Sequence, residues 1–296
     1  MERNGNTRQP RRFTMLFTMC AVAFAAIALM WTLYLLIFGR IGPSGAELLF
    51  RVDAGDVSQA DARLIARDSA RIIRIRMSDR RSLVRVMPDN RISVKLDDDP
   101  PEEELTSLQK RIESRGRLGL HLVNDFEPDL EIASAGQEVP GCVPYVRING
   151  GGFKRADYSE LGKLDLETED WLGISDDPRV ALVEIEPAIA PESVDPGLIF
   201  PRQGSDGDGA LILGFTSAGS IELGDMTEEN IGRHLAFIVD DVIYATPKIV
   251  ERLGTVARLE PSAYMDEEEI KELARILRSG EMPAGLRLEE IIRPEE

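Results

Sequence analysis

The chain has 296 residues, of which 43% are hydrophobic and 29% charged, so it can bury one or two cores and does not have the composition of a disordered protein. Its formal net charge is −17. Because the phosphate backbone of DNA or RNA repels so acidic a body, nucleic-acid binding is excluded.

The N-terminal region has the pattern of a membrane anchor. A basic tail, residues 1–12, carries a charge of +3, so the residues after it sum to −20. Residues 13–38 are uncharged and would form a helix of about 39 Å, long enough to cross a hydrocarbon core of about 30 Å. A cleaved signal peptide is the alternative, but its apolar core has only about 7–15 residues. The pattern therefore favours an uncleaved anchor.

The charge distribution also predicts how this anchor is oriented. Four arginines precede the apolar stretch and only Arg40 follows it closely. The positive-inside rule therefore leaves the N-terminus in the cytoplasm and the main body in the periplasm. We expect a single-pass protein of the cell (inner) membrane that contacts the lipid bilayer through residues 13–38.

The two cysteines lie in different parts of the predicted protein, one in the anchor and one in the body. Cys20 falls inside the apolar stretch and Cys142 in the body, so they cannot form an intramolecular disulfide. We expect Cys142 to be a small buried hydrophobic residue.

Residues 46–124 have the alternation of strands and helices expected of a ferredoxin-like base subdomain. Ser58 precedes Asp61 at the spacing of a helix cap, and Pro88-Asp89-Asn90 forms a turn between two strand patterns. The predicted elements, in order, are strand 46–53, helix 58–77, two strands within 83–97, helix 102–115 and strand 118–123.

The first of these helices carries a row of basic residues. Arginines follow one another at spacings of four, four and three, which places them on one face of the helix: Arg63, Arg67, Arg71 and Arg74. This row is either a solvated face with local ion pairs or a surface that contacts anionic lipid headgroups.

Residues 125–209 form an acidic segment with recurrent proline and glycine, for which we predict a β-rich insertion with long loops. Two runs have strand composition, Cys142–Ile148 and Arg179–Pro187. Trp171 and Leu172 either anchor this insertion in a core, which is the usual fate of a lone tryptophan, or form an exposed contact.

No motif in the sequence indicates catalysis or a cofactor. The Asp206–Asp208 loop resembles part of a calcium loop, but Ser217 stands where the closing acid is needed, which favours a flexible linker. His121 and His234 are isolated, so a zinc site is not supported. The sequence has no phosphate-binding loop, nucleophile motif or acid–base pair. We therefore expect neither enzymatic activity nor a cofactor.

Residues 210–296 have the pattern of an α/β unit, and here the sequence resembles a known family. Asp266 and Glu269 have the spacing of a capping box at the start of a helix. Leu286–Ile292 has the pattern of a closing strand, which we expect to return to the first subdomain. Thr227, Asn230 and Gly232, then an apolar run from Leu235 to Asp240, match the head of the first periplasmic domain of SecD. The resemblance continues through Ala245-Thr246-Pro247 and through Leu277–Leu286, which follows the family's Leu-Arg-x-Gly-x-Leu-Pro-Ala-x-Leu. AELLFRVD, at 46–53, resembles the first strand of SecD after its first membrane helix.

The resemblance predicts an α+β fold in which an N-terminal transmembrane helix precedes a ferredoxin-like base, the acidic insertion and a head subdomain. Gly219-Ser220 departs from the family's Gly-Ala. SecD continues into further membrane helices that couple proton flow to movement, and they are missing from this sequence, so that activity is not carried over.

In SecD the head is thought to contact the emerging polypeptide. The resemblance therefore suggests a binding site for polypeptide or a partner in the matching segment, at Asn230, Gly232, Asp240, Asp241, Tyr244 and Pro247. Each of these residues also has an ordinary role in a turn or at a strand edge. We predict a non-catalytic accessory of protein export that binds the Sec machinery or unfolded secretory polypeptide. The alternative is an envelope scaffold or sensor that reuses the fold.

Overall fold

The structure is a computed structural model that describes residues 45–148, 151–175, 177–203, 209–260 and 265–294. The predicted tail and anchor, Cys20 and the Asp206–Asp208 loop lie outside these residues. Within the described ranges no helix is both long and apolar enough to cross a membrane.

The base is a four-stranded antiparallel sheet with two helices on one face. The strands lie in the order β13-β1-β3-β2. The elements are β1 (Glu47–Asp53), α1 (Gln59–Arg76), β2 (Ser82–Met87), β3 (Arg91–Leu96), α2 (Glu102–Glu113) and β13 (Gly285–Ile292). Alternate residues of β1 are buried against α1 and α2, as the strand periodicity predicts.

Local sequence explains how these elements begin and turn. The hydroxyl of Ser58 accepts a hydrogen bond of 3.2 Å from the amide of Asp61 and caps α1 as predicted. Asp89 and Asn90 adopt positive φ between β2 and β3, so the predicted hairpin turn is confirmed.

One strand of the predicted base was assigned to the wrong sheet. β4 (Leu118–Leu122) pairs with β10 (Leu235–Val239), and β13 takes the fourth place in the ferredoxin-like sheet. Gly116, at φ +68°, lies in the segment by which the chain leaves the base after α2. The base is thus completed by a strand near the C-terminus, and everything from β4 to α6 (Glu267–Arg278) is inserted between its last helix and its last strand.

The inserted part begins with a six-stranded antiparallel sheet that closes on itself. Its order is β4-β10-β11-β6-β5-β7, where β5 is Cys142–Arg147, β6 Phe153–Arg155, β7 Val180–Glu184 and β11 Val242–Ala245. Val123, directly after β4, bridges to Val183 of β7, and the amide of Asn124 donates to the carbonyl of Leu182 at 2.8 Å. Buried side chains from around the sheet, including Tyr145, Phe153 and Ile238, fill the interior.

Two short helices, α3 (Glu127–Ser134) and α4 (Tyr158–Leu161), pack on β5 and β7 from outside. Trp171 is 1% exposed in this core and Leu172 is buried in the interior of the closed sheet, which confirms that they anchor the insertion. Cys142 is buried in the outer core, as predicted. Burial raises the pKa of its thiol.

The last unit is a three-stranded sheet, ordered β12-β9-β8, with two helices. Its elements are β8 (Val194–Gln203), β9 (Gly209–Phe215), α5 (Ser217–Glu229), β12 (Val256–Leu259) and α6. Asp266 and Glu269 exchange hydrogen bonds at the start of α6, so the predicted capping box is confirmed. A shared core joins this unit to the outer face of β10 through residues such as Phe237, Leu213 and Leu273.

Candidate functional site

A groove of about 500 Å³ lies where the closed sheet meets the three-stranded sheet. The end of β11 and the residues after it, Tyr244 to Pro247, form part of its lining, and Arg258 and Glu260 contribute from β12 and the residue beyond it. The buried side chains of Phe153 and Ile243 also line the groove. Two of the predicted binding residues, Tyr244 and Pro247, therefore lie in one concave site.

Two strand edges next to this groove are open. β12 pairs with β9 and with no other described strand. β6 pairs with β11 only at Val242 and Ile243, so Tyr244 and Ala245 have no partner strand on that side in the described structure. Unpaired backbone groups at such edges can accept an additional extended segment.

Tyr244 supplies an aromatic surface to the groove. Its ring is half-buried and packs against the core shared with the three-stranded sheet. Burial raises the pKa of its hydroxyl, and the negative charges of Asp240 and Glu269 raise it further. The hydroxyl therefore stays protonated at neutral pH, and the side chain combines an apolar ring with a polar tip.

His234 also lines the groove, although no pattern in the sequence indicated that it belongs to a site. Its Nδ1 is buried and has no hydrogen-bond partner in the described structure. Burial lowers the pKa of the imidazole, the positive charge of Lys248 lowers it further, and Asp125 opposes both effects. The ring is therefore neutral at physiological pH.

The turn that contains Asn230 and Gly232 packs against the segment that follows β11. The side-chain amide of Asn230 donates to the carbonyl of Met226 at 2.8 Å and caps α5. Gly232, at φ +97°, donates its amide to the carbonyl of Ile249 at 2.8 Å. The bond from Gly232 to Ile249 holds two loops together, and each loop exposes a large aliphatic side chain, that of Ile231 or Val250.

Asp240 and Asp241 lie at the opposite end of the β10–β11 hairpin. Both have positive φ, as a two-residue hairpin turn requires. Along a strand that rises about 3.3 Å per residue, the five residues of β10 separate this tip by roughly 15 Å from the other end of the hairpin, where His234 and Pro247 line the groove. The six predicted residues thus divide into two that line the groove, two in the turn packed against the segment after β11, and two at the hairpin tip.

The carboxylate of Asp240 is held in the linker between base and closed sheet. It accepts hydrogen bonds from the hydroxyl of Ser114 at 2.6 Å and from the amides of Gly116 and Arg117 at 3.1 and 2.9 Å. Asp241 is exposed and contacts Arg155 at 3.4 Å. The geometry gives Asp240 a structural role in joining the two parts.

A buried guanidinium completes this junction. Arg76, at the end of α1, is 0% exposed and donates to the hydroxyl of Ser279 at 2.9 Å and to several backbone carbonyls, including that of Arg111 at 3.0 Å. Burial lowers its pKa to about 10, while Asp240 and Glu272 oppose that change. Arg76 therefore ties α1, α2 and the end of α6 together. The sequence pattern had given it no role.

Comparison with known proteins agrees with this architecture. Residues 175–284 match the family model described as SecDF, P1 head subdomain. The protein translocase subunit SecDF of Thermus thermophilus is 31% identical over 128 residues, which cover 40% of this chain and 17% of that protein.

Two solved structures are similar in fold. One is described as SecDF in a super-membrane-facing form and has a TM-score of 0.56 at 19% identity. The aligned region covers 93% of this chain and 35% of the SecDF chain. The other is described as a membrane component SecDF that enhances protein export and has a TM-score of 0.53 at 22% identity. The aligned region covers 83% of this chain and 99% of the chain in that structure.

Residues 175–284 are therefore similar to the SecDF P1 head subdomain, and the body as a whole has a fold similar to that of SecDF periplasmic domains. The matched head, 175–284, begins earlier than the head predicted at 210–296 and so takes in β7 and β8. The chain spans 17% of the length of the translocase subunit that it resembles.

Proposed function

We propose that this protein is a non-catalytic accessory of protein export and that the groove beside β11 binds an extended segment of a translocating polypeptide. The observation that carries the proposal is the pair of open strand edges, at Tyr244–Ala245 and along β12, on either side of a concave surface in the P1 head. The similarity to a translocase subunit supplies the process in which the groove would act.

The chemistry of the groove suits a partner of variable sequence. Backbone hydrogen bonds to a strand edge do not depend on the side chains of the added segment. Tyr244 offers aromatic surface for apolar side chains, while Arg258 and Glu260 offer one charge of each sign, 3.1 Å apart. The groove can therefore hold a succession of different residues.

The predicted topology completes the proposal. A single anchor at 13–38, with the N-terminus in the cytoplasm, would hold the body on the periplasmic side of the inner membrane, where an exported chain emerges. The Sec machinery is then the expected neighbour, and the groove is the expected contact with the polypeptide.

In-cell photocrosslinking tests this function. We would place the probe at Tyr244 and Pro247 in the groove, at Asn230 in the turn after α5, at Asp241 on the hairpin tip, and at Glu131 on the exposed side of α3 as a remote control. Crosslinks to secretory precursors from the groove positions and not from Glu131 are expected. If all the positions crosslink equally, or if the groove captures only folded envelope proteins, the scaffold alternative replaces this proposal.

A pair of substitutions tests whether polypeptide binding depends on the groove or on any exposed aromatic side chain. Tyr244→Ala removes the aromatic lining and should reduce binding of an unfolded secretory segment about tenfold, or roughly 1.4 kcal/mol. Phe200→Ala removes an aromatic side chain that is exposed on β8, at the opposite edge of the three-stranded sheet from β12, and should leave binding unchanged. Equal losses in the two variants would contradict the assignment of the groove.

A further inference from the structure

The outer face of α1 presents the predicted row of arginines to solvent. All four side chains are exposed: Arg63, Arg67, Arg71 and Arg74. At a rise of about 1.5 Å per residue they extend over roughly 16 Å of the helix. We refer to these four residues as the arginine row.

The arginine row has no acidic partner in the described part of the chain. Of its members, Arg74 donates to the backbone carbonyl of Val84 at 3.1 Å, and none of the four forms an ion pair there. Fourteen other arginines do form ion pairs with described carboxylates. In a chain of net charge −17, four neighbouring cations without a local counterion indicate a negatively charged partner outside the domain.

Apolar side chains lie beside the row on the same helix. Leu64 is 55% and Ile75 41% exposed, and at about 100° per residue both lie next to the arginines. The exposed acids of α1, Asp61 and Asp68, lie beyond them, and Asp61 is hydrogen-bonded to the Ser58 hydroxyl at 2.6 Å. Arginines next to exposed aliphatic residues are typical of a helix that rests on a membrane surface.

We propose that the arginine row docks α1 onto the anionic lipid headgroups of the membrane. The charge of the row complements such a surface, and the rest of the acidic body is repelled by it. The predicted anchor ends at residue 38 and β1 begins at Glu47, so the intervening eight residues reach at most about 28 Å when extended. That tether keeps α1 close enough to lie on the membrane, and docking fixes which side of the domain faces the lipid.

A fluorescence experiment on the full chain tests this orientation. A fluorophore is attached at Ala60→Cys, beside the row, in a Cys20→Ala background, since Cys142 is buried. The chain is reconstituted in bilayers of phosphatidylcholine alone or mixed with phosphatidylglycerol, each carrying a headgroup quencher. Strong quenching only in the mixed bilayer, reversed by salt, is expected because the attraction is screened over about 10 Å at 0.1 M salt.

Matched variants make the result decisive. Changing Arg63, Arg67, Arg71 and Arg74 to Gln should abolish the quenching, whereas changing Arg155, Arg179, Arg202 and Arg252 to Gln, an equal loss of charge at remote exposed positions, should preserve it. Thermal unfolding of each variant verifies that it folds. Quenching that is equal in both bilayers, or that persists in the first variant, overturns the proposal. If labels on two chains lie close together whatever the lipid composition, the arginine row contacts a second copy of the chain, and this result also overturns the proposal.

Discussion

Asp240 and Arg117 are joined by two hydrogen bonds in opposite directions. The carboxylate of Asp240 accepts the amide of Arg117 at 2.9 Å, and the amide of Asp240 donates to the carbonyl of Arg117 at 3.2 Å. The tip of the β10–β11 hairpin is thereby fixed to the segment that leaves the base. Because β11 leads from this tip to the groove, the pair also positions the groove relative to the base.

Substitution of Asp240 should therefore destabilise the fold. Asp240→Asn removes the charge but tolerates the positive φ of 50°, so we expect a loss of about 1–2 kcal/mol in the free energy of unfolding. Asp240→Ala also loses the acceptor and should cost about 2–3 kcal/mol. Urea unfolding of the chain in detergent measures both values.

Asp241→Asn is the matched control for Asp240. This neighbour shares the turn and its positive φ, but its side chain is exposed and contacts only Arg155 among the described residues. We expect a change within about 0.5 kcal/mol, because an isolated surface ion pair contributes little. Similar losses at Asp240 and Asp241 would mean that the turn conformation, rather than the carboxylate contacts, determines the stability.

Arg76 should be intolerant of substitution despite its distance from the groove. Arg76→Met leaves buried carbonyls, including that of Arg111, without a donor, and we expect a loss of about 3 kcal/mol or more. Arg76→Lys keeps the charge but cannot reproduce the planar set of donors, so about 2 kcal/mol should be lost. Arg67→Met, on the exposed face of the same helix, should change stability by less than about 0.5 kcal/mol. An equally mild effect at Arg76 would show that water replaces its contacts.

Local patterns predicted the elements well, and long-range pairing is where prediction failed. The caps at Ser58 and Asp266 follow from residues three apart, and both are present. The predicted return of the closing strand β13 to the base is confirmed, but β4 was assigned to the base as well, because both have strand composition and only tertiary pairing distinguishes them.

The groove could be predicted only in part for the same physical reason. The segment that contains Tyr244 and Pro247 was found through the family resemblance. Arg258 and Glu260 simply alternate with the apolar residues of β12, as on any half-exposed strand, so nothing in their spacing indicates a groove. Arg76 was missed because arginines are rarely buried, and a network of backbone carbonyls leaves no trace in the sequence.

Alanine substitutions at two glycines with similar backbone conformation distinguish the cost of backbone strain from the cost of a steric clash. Gly152 has φ +79°, and a Cβ there would lie 2.7 Å from the carbonyl oxygen of Ile243. Gly141 has φ +78° with nothing within 4 Å of its Cβ position. Gly141→Ala should cost only the backbone strain, about 1 kcal/mol, whereas Gly152→Ala should cost more and also weaken polypeptide binding, since it separates β6 from β11 beside the groove. Calorimetric melting and the peptide-binding assay test this pair. Equal effects on both readouts would contradict the described pairing of β6 with β11.

The stability of the head should depend on the ionisation of His234. Because its pKa is lowered in the folded state, its contribution to stability is complete above the unfolded pKa of about 6.5 and is lost as the pH falls through the lower folded value. We expect His234→Gln to reduce the loss of melting temperature between about pH 7 and about pH 5. Lys248→Gln removes a neighbouring positive charge and should raise the pKa of His234, which an NMR titration of the imidazole measures in a His121→Gln background. An unchanged pKa in the Lys248 variant would leave burial as the sole cause of the shift, and an unchanged melting profile in His234→Gln would show that other groups control the acid sensitivity.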